Sequence, residues 1–261
     1  ITDEISSLWD RTASTPHQKP FLVGRRLLSK PIGTIQQLTA QSPTGKILEW
    51  DEMTQIKLYD PVVSWRKLKS GNGYLKITAW LRGKNIDKLL DQAFKELSCC
   101  NTLIVDLRNN PGGDLFLAHS FRNRFISESR TVGYIMQTLP DGSMSEKESI
   151  MAKPAAIEKR WRKPVRFLTD PLTYSASEDM LLGLQGQENI EIVGEPSGGG
   201  SGRVRLIRLI PGWILTISTA ITSDIYGNCI AGRGIPVDTL VVPDRANSGN
   251  LDIVLSKADK N

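Results

Sequence analysis

Apolar residues along this chain recur with two different periods. In NIDKLLDQAFKELSCC, residues 85–100, they lie three or four positions apart, which is typical of an amphipathic helix. The segments on either side, GYLKITAWL at 73–81 and TLIVDLRNN at 102–110, are nearly continuous apolar runs, which predict buried strands. A strand, a helix and a second buried strand predict a βαβ unit with parallel strands. The pattern therefore predicts an α/β fold.

The rest of the chain alternates in the same way. The helix after GYLKITAWL is expected to begin behind Asn85, whose side chain can cap it. Beyond residue 112, helical spacing is found in DLFLAHSFRNRFI, SEDMLLGLQG and NLDIVLSKADK, and strand-like runs are VGYIMQTL, PVRFLTD, IEIVGEP, RVRLIRLI and WILTISTAIT. No internal repeat is present, so these elements predict one main domain of the size that 261 residues can fill.

The N-terminal quarter has a different character. Residues 1–20 contain a helix candidate, TDEISSLWDRT, and a proline-interrupted link at Pro16 and Pro20. Residues 21–63 contain short β-like runs, TIQQLTA and KILEW, separated by turn signals. We therefore expect an N-terminal helical remnant at 1–20, a small β-rich module at 21–63 and the main domain at 64–261.

Composition and charge exclude several classes of protein. No apolar run is long enough to cross a membrane, and 39% hydrophobic with 23% charged residues is ordinary for a soluble protein. The 33 Lys and Arg outnumber the 28 Asp and Glu, and the densest basic stretch is EKRWRKPVR at 158–166. Such a modest excess is typical of a solvated face, so we expect no nucleic-acid partner.

The three cysteines and two histidines fit neither a disulfide framework nor a zinc site, so we expect no metal and no cofactor. The chain begins at Ile1 with neither an initiator Met nor a signal peptide. We interpret it as a processed or trimmed product.

Two segments can carry chemistry. DLRNNPGGD, residues 106–114, has two glycines between a buried strand and a helix, where backbone N–H groups can face a developing negative charge. The alternative is a tight turn that merely needs positive φ. TYSASED, residues 173–179, can expose Ser175 as a nucleophile and the N–H of Ala176 as an oxyanion donor. The alternative is a helix cap in which Ser175 pairs with Glu178.

Taken together, the motifs resemble those of a known family. LIVDLRNNPGGDL, LTYSASED, IVGEPSGGGSG, YGNCIAGRGIPVD and NLDIVLSKA follow the order and approximate spacing of the S41 peptidases, the C-terminal processing or tail-specific proteases. The resemblance covers residues 73–258. It implies a crotonase-like ββα core, usually preceded by a PDZ domain, and peptide-bond hydrolysis by a serine. The module at 21–63 would then be a reduced or truncated PDZ-like domain.

The resemblance also assigns site residues. It implies that Ser175 is the nucleophile and that the N–H groups of Ala176 and Gly113 are the oxyanion donors. In the processing-protease branch a lysine follows GEPxxG as the general base, but this chain has Gly200 there. Without a base, attack by a serine hydroxyl is slower by several orders of magnitude, so another group must replace the lysine if the chain is active.

Several replacements are conceivable. The branch that includes the tricorn core takes a histidine from an upstream segment, which suggests His17 or a residue ahead of Ile1. His119 lies almost two helical turns beyond Gly113 and is not expected to be catalytic. Glu195 is expected to be a structural hydrogen-bond partner. Three lysines of the intervening stretch cannot be placed from sequence: Lys153, Lys159 and Lys163.

These observations predict a serine endopeptidase acting on peptides or protein C-termini. The alternative is a catalytically inactive S41-fold protein that binds or scaffolds, and a third idea is crotonase-type acyl-CoA chemistry, for which no binding signal is present. The resemblance implies a periplasmic or secreted location and a peptide or protein substrate. It leaves the oligomeric state open.

Overall fold

The computed structural model describes residues 15–41, 45–54, 60–210, 213–243 and 252–260. The predicted helix TDEISSLWDRT falls outside these ranges. Within them, no helix is both long enough and apolar enough to cross a membrane.

The described elements follow the predicted alternation closely. The strands are β1 (Ile35–Gln41), β2 (Ile47–Met53), β3 (Val63–Lys67), β4 (Gly73–Ile77), β5 (Leu103–Asp106), β6 (Arg130–Gln137), β7 (Glu148–Ala152), β8 (Val165–Thr169), β9 (Ile190–Gly194), β10 (Val204–Arg208), β11 (Ile214–Ser218), β12 (Ala220–Ser223) and β13 (Thr239–Leu240). The helices are α1 (Lys19–Leu28), α2 (Ile86–Leu97), α3 (Leu115–Arg122), α4 (Ala176–Leu182) and α5 (Ile253–Ala258).

A six-stranded sheet forms the centre, in the order β13-β9-β8-β5-β4-β3. All neighbouring strands are parallel except β3, which is antiparallel to β4. The predicted βαβ unit is present, because α2 connects the adjacent parallel strands β4 and β5. A mixed α/β fold is confirmed; the crotonase-like identity of the core stays a prediction.

The predicted stripe of α2 faces the core. Its buried residues are Ile86, Leu90, Ala93, Phe94 and Leu97. Full burial of each large apolar side chain stabilises the fold by about 2 kcal/mol. The predicted cap is wrong: Asn85 stands at the N-cap position, but it has φ 52°, and its side chain makes no capping hydrogen bond. Asn tolerates this left-handed conformation better than most residues, which explains its place there.

The N-terminal region departs from the expected β-rich module. Helix α1 occupies residues 19–28, across the predicted boundary at residue 20. The runs TIQQLTA and KILEW do form the hairpin β1–β2, while β3 already belongs to the central sheet. A second separate hairpin is β10–β11, and β12, β6 and β7 form a three-stranded sheet. The domain boundaries and the PDZ-like origin of the module stay predictions.

Candidate active site

The site is built at the carboxyl edge of the central sheet. Strands β5, β8 and β9 are adjacent and parallel, so the loops that follow them leave at the same edge. These three loops are the segments that carry DLRNNPGGD, TYSASED and GEPSGGG. The topology therefore explains why segments that are far apart in the sequence, between residues 106 and 200, meet at one place.

The first two loops are in direct contact. The backbone N–H of Tyr174 donates to the carbonyl of Asn110 at 2.9 Å. A Cβ built on Gly112 would lie only 2.7 Å from the Cβ of Ser175 and 2.9 Å from the nitrogen of Ala176. Only glycine fits at position 112, because its φ of 94° and this close approach both exclude a side chain. The glycine turn and the serine turn thus share one pocket.

Ser175 occupies a strained turn at the start of α4. Its φ of 55° and ψ of −122° are rare for a residue other than glycine. The residue is partly exposed, whereas Ala176 behind it is buried. A strained strand-to-helix turn that presents a hydroxyl is the geometry of a nucleophile elbow.

Backbone N–H groups surround the same point. The N–H of Gly112 donates to Oδ1 of Asn110 at 2.9 Å and is therefore occupied. Gly113 is exposed, and within the described residues no acceptor is found for its N–H or for that of Ala176. The backbone of Trp80 fixes this turn, because its N–H donates to the carbonyl of Gly112 and its carbonyl accepts from Asp114. The two unoccupied N–H groups belong to the residues named from sequence.

The second serine of the S-x-S pair has a structural role. Ser177 is completely buried, and its Oγ accepts a hydrogen bond from the indole N–H of Trp80 at 2.9 Å. This hydrogen bond connects α4 to the segment that follows β4. No role was predicted for Trp80 from the sequence, although Trp80 lies in the apolar run that predicted β4.

Glu178 organises the third loop around the elbow. Its buried carboxylate accepts from the backbone N–H of Ser175 at 2.8 Å, of Gly199 at 2.7 Å and of Gly200 at 2.9 Å. It also accepts from the hydroxyl of Ser197 at 2.6 Å. Burial raises the pKa of Glu178, and the hydrogen bonds that it accepts act in the opposite direction. The sequence pointed to Glu178 only as a cap partner, so its contact with residues 197–200 was missed.

Asp179, the next residue, is a second buried acid of α4. Its Oδ2 accepts from the hydroxyl of Ser201 at 2.9 Å. Burial raises its pKa to about 6. Asp179 therefore also links α4 to the chain just after the glycine-rich loop.

The position of the absent lysine is not an empty space. A Cβ built on Gly200 would overlap the phenol ring of Tyr174, the residue before Ser175. The same ring lies within 2.6 Å of a Cβ built on Gly198. Gly198 and Gly200 therefore make room for Tyr174.

His17 lies against this glycine-rich loop. Its Nε2 is 2.5 Å from the carbonyl oxygen of Ser197 and 3.2 Å from Oγ1 of Thr15. The Thr15 hydroxyl donates to the carbonyl of Gly198 at 3.1 Å. Because Ser197 also bonds to Glu178, two hydrogen bonds link His17 to the acid that holds the N–H of Ser175.

The other candidate residues lie elsewhere. His119 is in the last turn of α3, at the far end of that helix from Gly113, and burial lowers its pKa to about 4. Lys159 pairs with Asp91 of α2 at 3.0 Å, and Lys163 donates to the carbonyls that follow α2. Neither lysine contacts the elbow in these pairings. The backbone N–H of Glu195 donates to Thr169 at the end of β8.

Among the described residues, no group of three or more His, Cys, Asp or Glu side chains is placed to hold a metal ion. The loops at this site carry the Ser175 hydroxyl, the unoccupied N–H groups of Gly113 and Ala176, and the imidazole of His17. These are the kinds of group that acyl transfer requires.

Comparison with known proteins identifies the family. A sequence model of the family described as Peptidase family S41 matches residues 71–241. The structure is similar to that of a candidate peptidase from Parabacteroides merdae, with 26% identity, a TM-score of 0.62 and coverage of 70% of this chain and 58% of that one. It is also similar to the photosystem II D1 C-terminal processing protease, with 18% identity, a TM-score of 0.60 and coverage of 82% and 57%.

A third similar structure is mature CPAF complexed with lactacystin, with 14% identity and a TM-score of 0.69. It covers 99% of this chain and 73% of that one. At these identities the last two similarities concern the fold alone. The chain spans little more than half the length of the first two proteins.

Proposed function

The chain belongs to peptidase family S41, and we propose that it hydrolyses peptide bonds with Ser175 as the nucleophile. The observation that carries this proposal is the contact between the strained serine turn and the glycine turn, at the shared edge of β5 and β8. A substrate carbonyl resting there would meet the hydroxyl on one side and two unoccupied N–H groups on the other.

In this mechanism the Ser175 hydroxyl passes its proton to a general base and attacks the scissile carbonyl, which forms a tetrahedral intermediate. The C–N bond then breaks as the base returns the proton to the leaving amine, and water releases the acyl group from Ser175 in the same way. The negative charge that develops on the carbonyl oxygen is stabilised by the N–H groups of Gly113 and Ala176. The elbow is held in place before substrate binds, because Glu178 bonds to the N–H of Ser175 and Asn110 bonds to Gly112. Such preorganisation is the usual source of oxyanion stabilisation.

We propose His17 as the general base. With Nε2 donating to the carbonyl of Ser197, Nδ1 is the nitrogen that can accept a proton. The hydrogen bonds of His17 to Ser197 and of Ser197 to Glu178 support this assignment, because they connect the imidazole to the acid that bonds to the N–H of Ser175. Loss of a general base costs typically about 10²- to 10⁴-fold in rate. We therefore expect His17→Gln to lower kcat by that factor while Ser175 still reacts slowly with an active-site probe.

A fluorophosphonate probe tests the nucleophile. It is expected to label the wild type and Ser177→Ala, and to leave Ser175→Ala unlabelled. Ser177→Ala is the matched control, since it removes a serine hydroxyl of the same helix that is buried. Labelling that persists in Ser175→Ala contradicts the assignment, as does absence of labelling and hydrolysis in both this chain and the longest natural form.

The second candidate function is a non-catalytic binding protein on the same fold. Tyr174 favours it, because its ring fills the place where the resemblance puts the lysine base. Peptide titration separates the two: a non-catalytic binder retains full affinity in Ser175→Ala and never cleaves the peptide. The peptide or protein C-terminal substrate and the periplasmic or secreted location stay predictions from the family.

A further inference from the structure

The hairpin β10–β11 exposes an unusual amount of apolar surface. Every residue of both strands is exposed, and at its end Leu209 and Trp213 are 59% and 66% exposed. A two-stranded hairpin is at best marginally stable in water. Large exposed apolar patches mark interaction surfaces. This hairpin, which we call the basic hairpin, therefore needs a partner surface.

Both faces of the basic hairpin are apolar. The cross-strand register pairs Ile207 with Leu215 on one face, and the neighbouring positions Leu206 and Ile214 point to the other. Its charges are all of one sign, since Arg205 and Arg208 lie on β10 and the sequence from 196 to 223 contains no acidic residue. The partner surface must accordingly be apolar and acidic.

The hairpin β1–β2 has this complementary chemistry. All residues of β2 are exposed, among them the apolar Ile47, Trp50 and Met53. Its acidic residues, Glu49, Asp51 and Glu52, all lie on β2. We call this the acidic hairpin. One chain thus carries two exposed apolar hairpins of opposite charge.

Among the described residues, each strand of the two hairpins has one unpaired edge, and the charged residues lie on only one strand of each, β2 and β10. In the described part of the chain β2 bonds only to β1, and β10 bonds only to β11, so each has one unpaired edge. Unpaired edges are templates for strand addition, and opposite charges on facing strands stabilise the pairing. Pairing of β2 with β10 would place the carboxylates of the acidic hairpin beside the guanidinium groups of the basic hairpin.

We propose that the acidic hairpin of one copy pairs through β2 with β10 of the basic hairpin of a second copy, forming a dimer. Each contact creates a four-stranded sheet, β1-β2 of one copy followed by β10-β11 of the other. Because every copy carries one hairpin of each kind, a two-fold arrangement satisfies both contacts at once and closes the assembly.

A second copy explains more than other occupants do. An anionic lipid surface would attract the basic hairpin, but it would repel the acidic hairpin and leave Trp50 and Ile47 uncovered. Within one chain the two hairpins are separate two-stranded sheets. Of these occupants, only a partner bearing both hairpins pairs both unpaired edges and neutralises both charges, and it places the apolar side chains of the two hairpins side by side across the new strand pair.

Sedimentation velocity across a range of protein concentrations tests this proposal. The wild type and Ser175→Ala are expected to dimerise equally, so the result is independent of peptidase activity. The charge reversals Arg205→Glu with Arg208→Glu, and Glu49→Arg with Asp51→Arg, are each expected to weaken dimerisation at least about tenfold. The chain with all four substitutions is expected to dimerise again, because the facing charges are merely exchanged.

The matched control for the two arginine reversals is Lys88→Glu with Lys95→Glu, two exposed lysines of α2 whose reversal changes the net charge by the same amount. It should leave the dimer intact, and circular dichroism of every variant checks folding. A monomeric wild type overturns the proposal, as does a dimer that neither charge reversal weakens. Binding of a monomeric wild type to phosphatidylglycerol vesicles, lost with Arg205→Glu and Arg208→Glu, overturns it too and assigns the basic hairpin to lipid.

Discussion

The phenol ring of Tyr174 lies where any side chain at position 200 would have to begin. A Cβ on Gly200 would overlap the ring, and the ring also approaches Gly198. The side chains allowed at positions 174 and 200 therefore depend on each other. A lysine could not be restored here without displacing Tyr174.

We expect Gly200→Ala to destabilise the protein by about 1–3 kcal/mol, because one added methyl group overpacks the space taken by the Tyr174 ring. For a domain of this size, that corresponds to a fall in Tm of very roughly 2–4 °C per kcal/mol. Thermal unfolding followed by circular dichroism measures it. The control is Gly24→Ala in α1, where a Cβ meets nothing within 4 Å.

The coupling itself is tested by a double-mutant cycle with Tyr174→Ala. In that background Gly200→Ala should cost little, because the ring that it overlaps is gone. If Gly200→Ala lowers stability equally with and without the Tyr174 ring, the ring is not the reason for glycine at position 200.

The buried carboxylate of Glu178 leads to a second prediction. Glu178→Gln keeps the shape of the side chain but replaces one carboxylate oxygen by an NH₂ group. Both carboxylate oxygens accept hydrogen bonds in the wild type, so this NH₂ group faces donors and cannot bond to them. Hydrogen bonds to a charged group are worth about 1.5–3 kcal/mol each, so Glu178→Gln is expected to lower the free energy of unfolding by about 3 kcal/mol. Urea denaturation measures this change.

Activity should fall as well, because Glu178 positions the N–H of Ser175 and the loop at 197–200. The exposed Glu188 provides the matched control, and Glu188→Gln should change neither quantity. A Glu178→Gln variant as stable and as reactive with the fluorophosphonate probe as the wild type would show that the carboxylate does not hold the elbow.

Periodicity predicted most of the fold because the elements of the main domain bury one face or both. The stripe of α2 and the apolar run of β5 are direct consequences of burial, and both are found where the sequence places them. Helix α1 was not predicted, since the segment HQKPFLVGRRLL begins with a proline-interrupted link that reads as a loop. The proline-containing segment favours a loop only weakly, and the tertiary structure around it overrides that preference.

The candidate site was only half visible in the sequence. Ser175 and the glycine turn could be named because motif order and strand-end topology both point to them. The roles of Tyr174 and Glu178 could not, because each depends on contact with residues 197–200, which lie more than 18 positions away. The sequence pattern does not predict that the Tyr174 ring packs against Gly200.

Asp179 predicts a specific dependence of stability on pH. Burial raises its pKa from the ordinary 3.8 to about 6, so the folded state holds a proton that the unfolded state has lost between these pH values. Its contribution is present below pH 3.8 and is lost as the pH rises through 6. Relative to the wild type, Asp179→Asn should therefore gain up to about 3 kcal/mol of stability between pH 4 and 7.

Urea denaturation at a series of pH values gives this difference directly. Glu188→Gln, which removes an exposed carboxyl group, serves again as the control. A flat difference for Asp179→Asn would mean that the carboxyl titrates normally in the folded protein.

His119 should produce the opposite trend. Its imidazole is largely buried, and among the described residues its Nε2 has no hydrogen-bond partner. Burial, together with the nearby charge of Arg122, lowers its pKa from 6.5 to about 4. Its contribution to stability is present above pH 6.5 and is lost as the pH falls through 4, because the unfolded state then takes up the proton first.

We therefore expect His119→Gln to gain up to about 3 kcal/mol relative to the wild type as the pH falls from 7 to 4. Because His119 lies at the far end of α3 from Gly113, labelling by the fluorophosphonate probe at pH 7 should be unchanged, in contrast to the loss of rate expected for His17→Gln. If His119→Gln loses activity at pH 7 while its stability curve parallels that of the wild type, His119 rather than His17 moves the proton of Ser175.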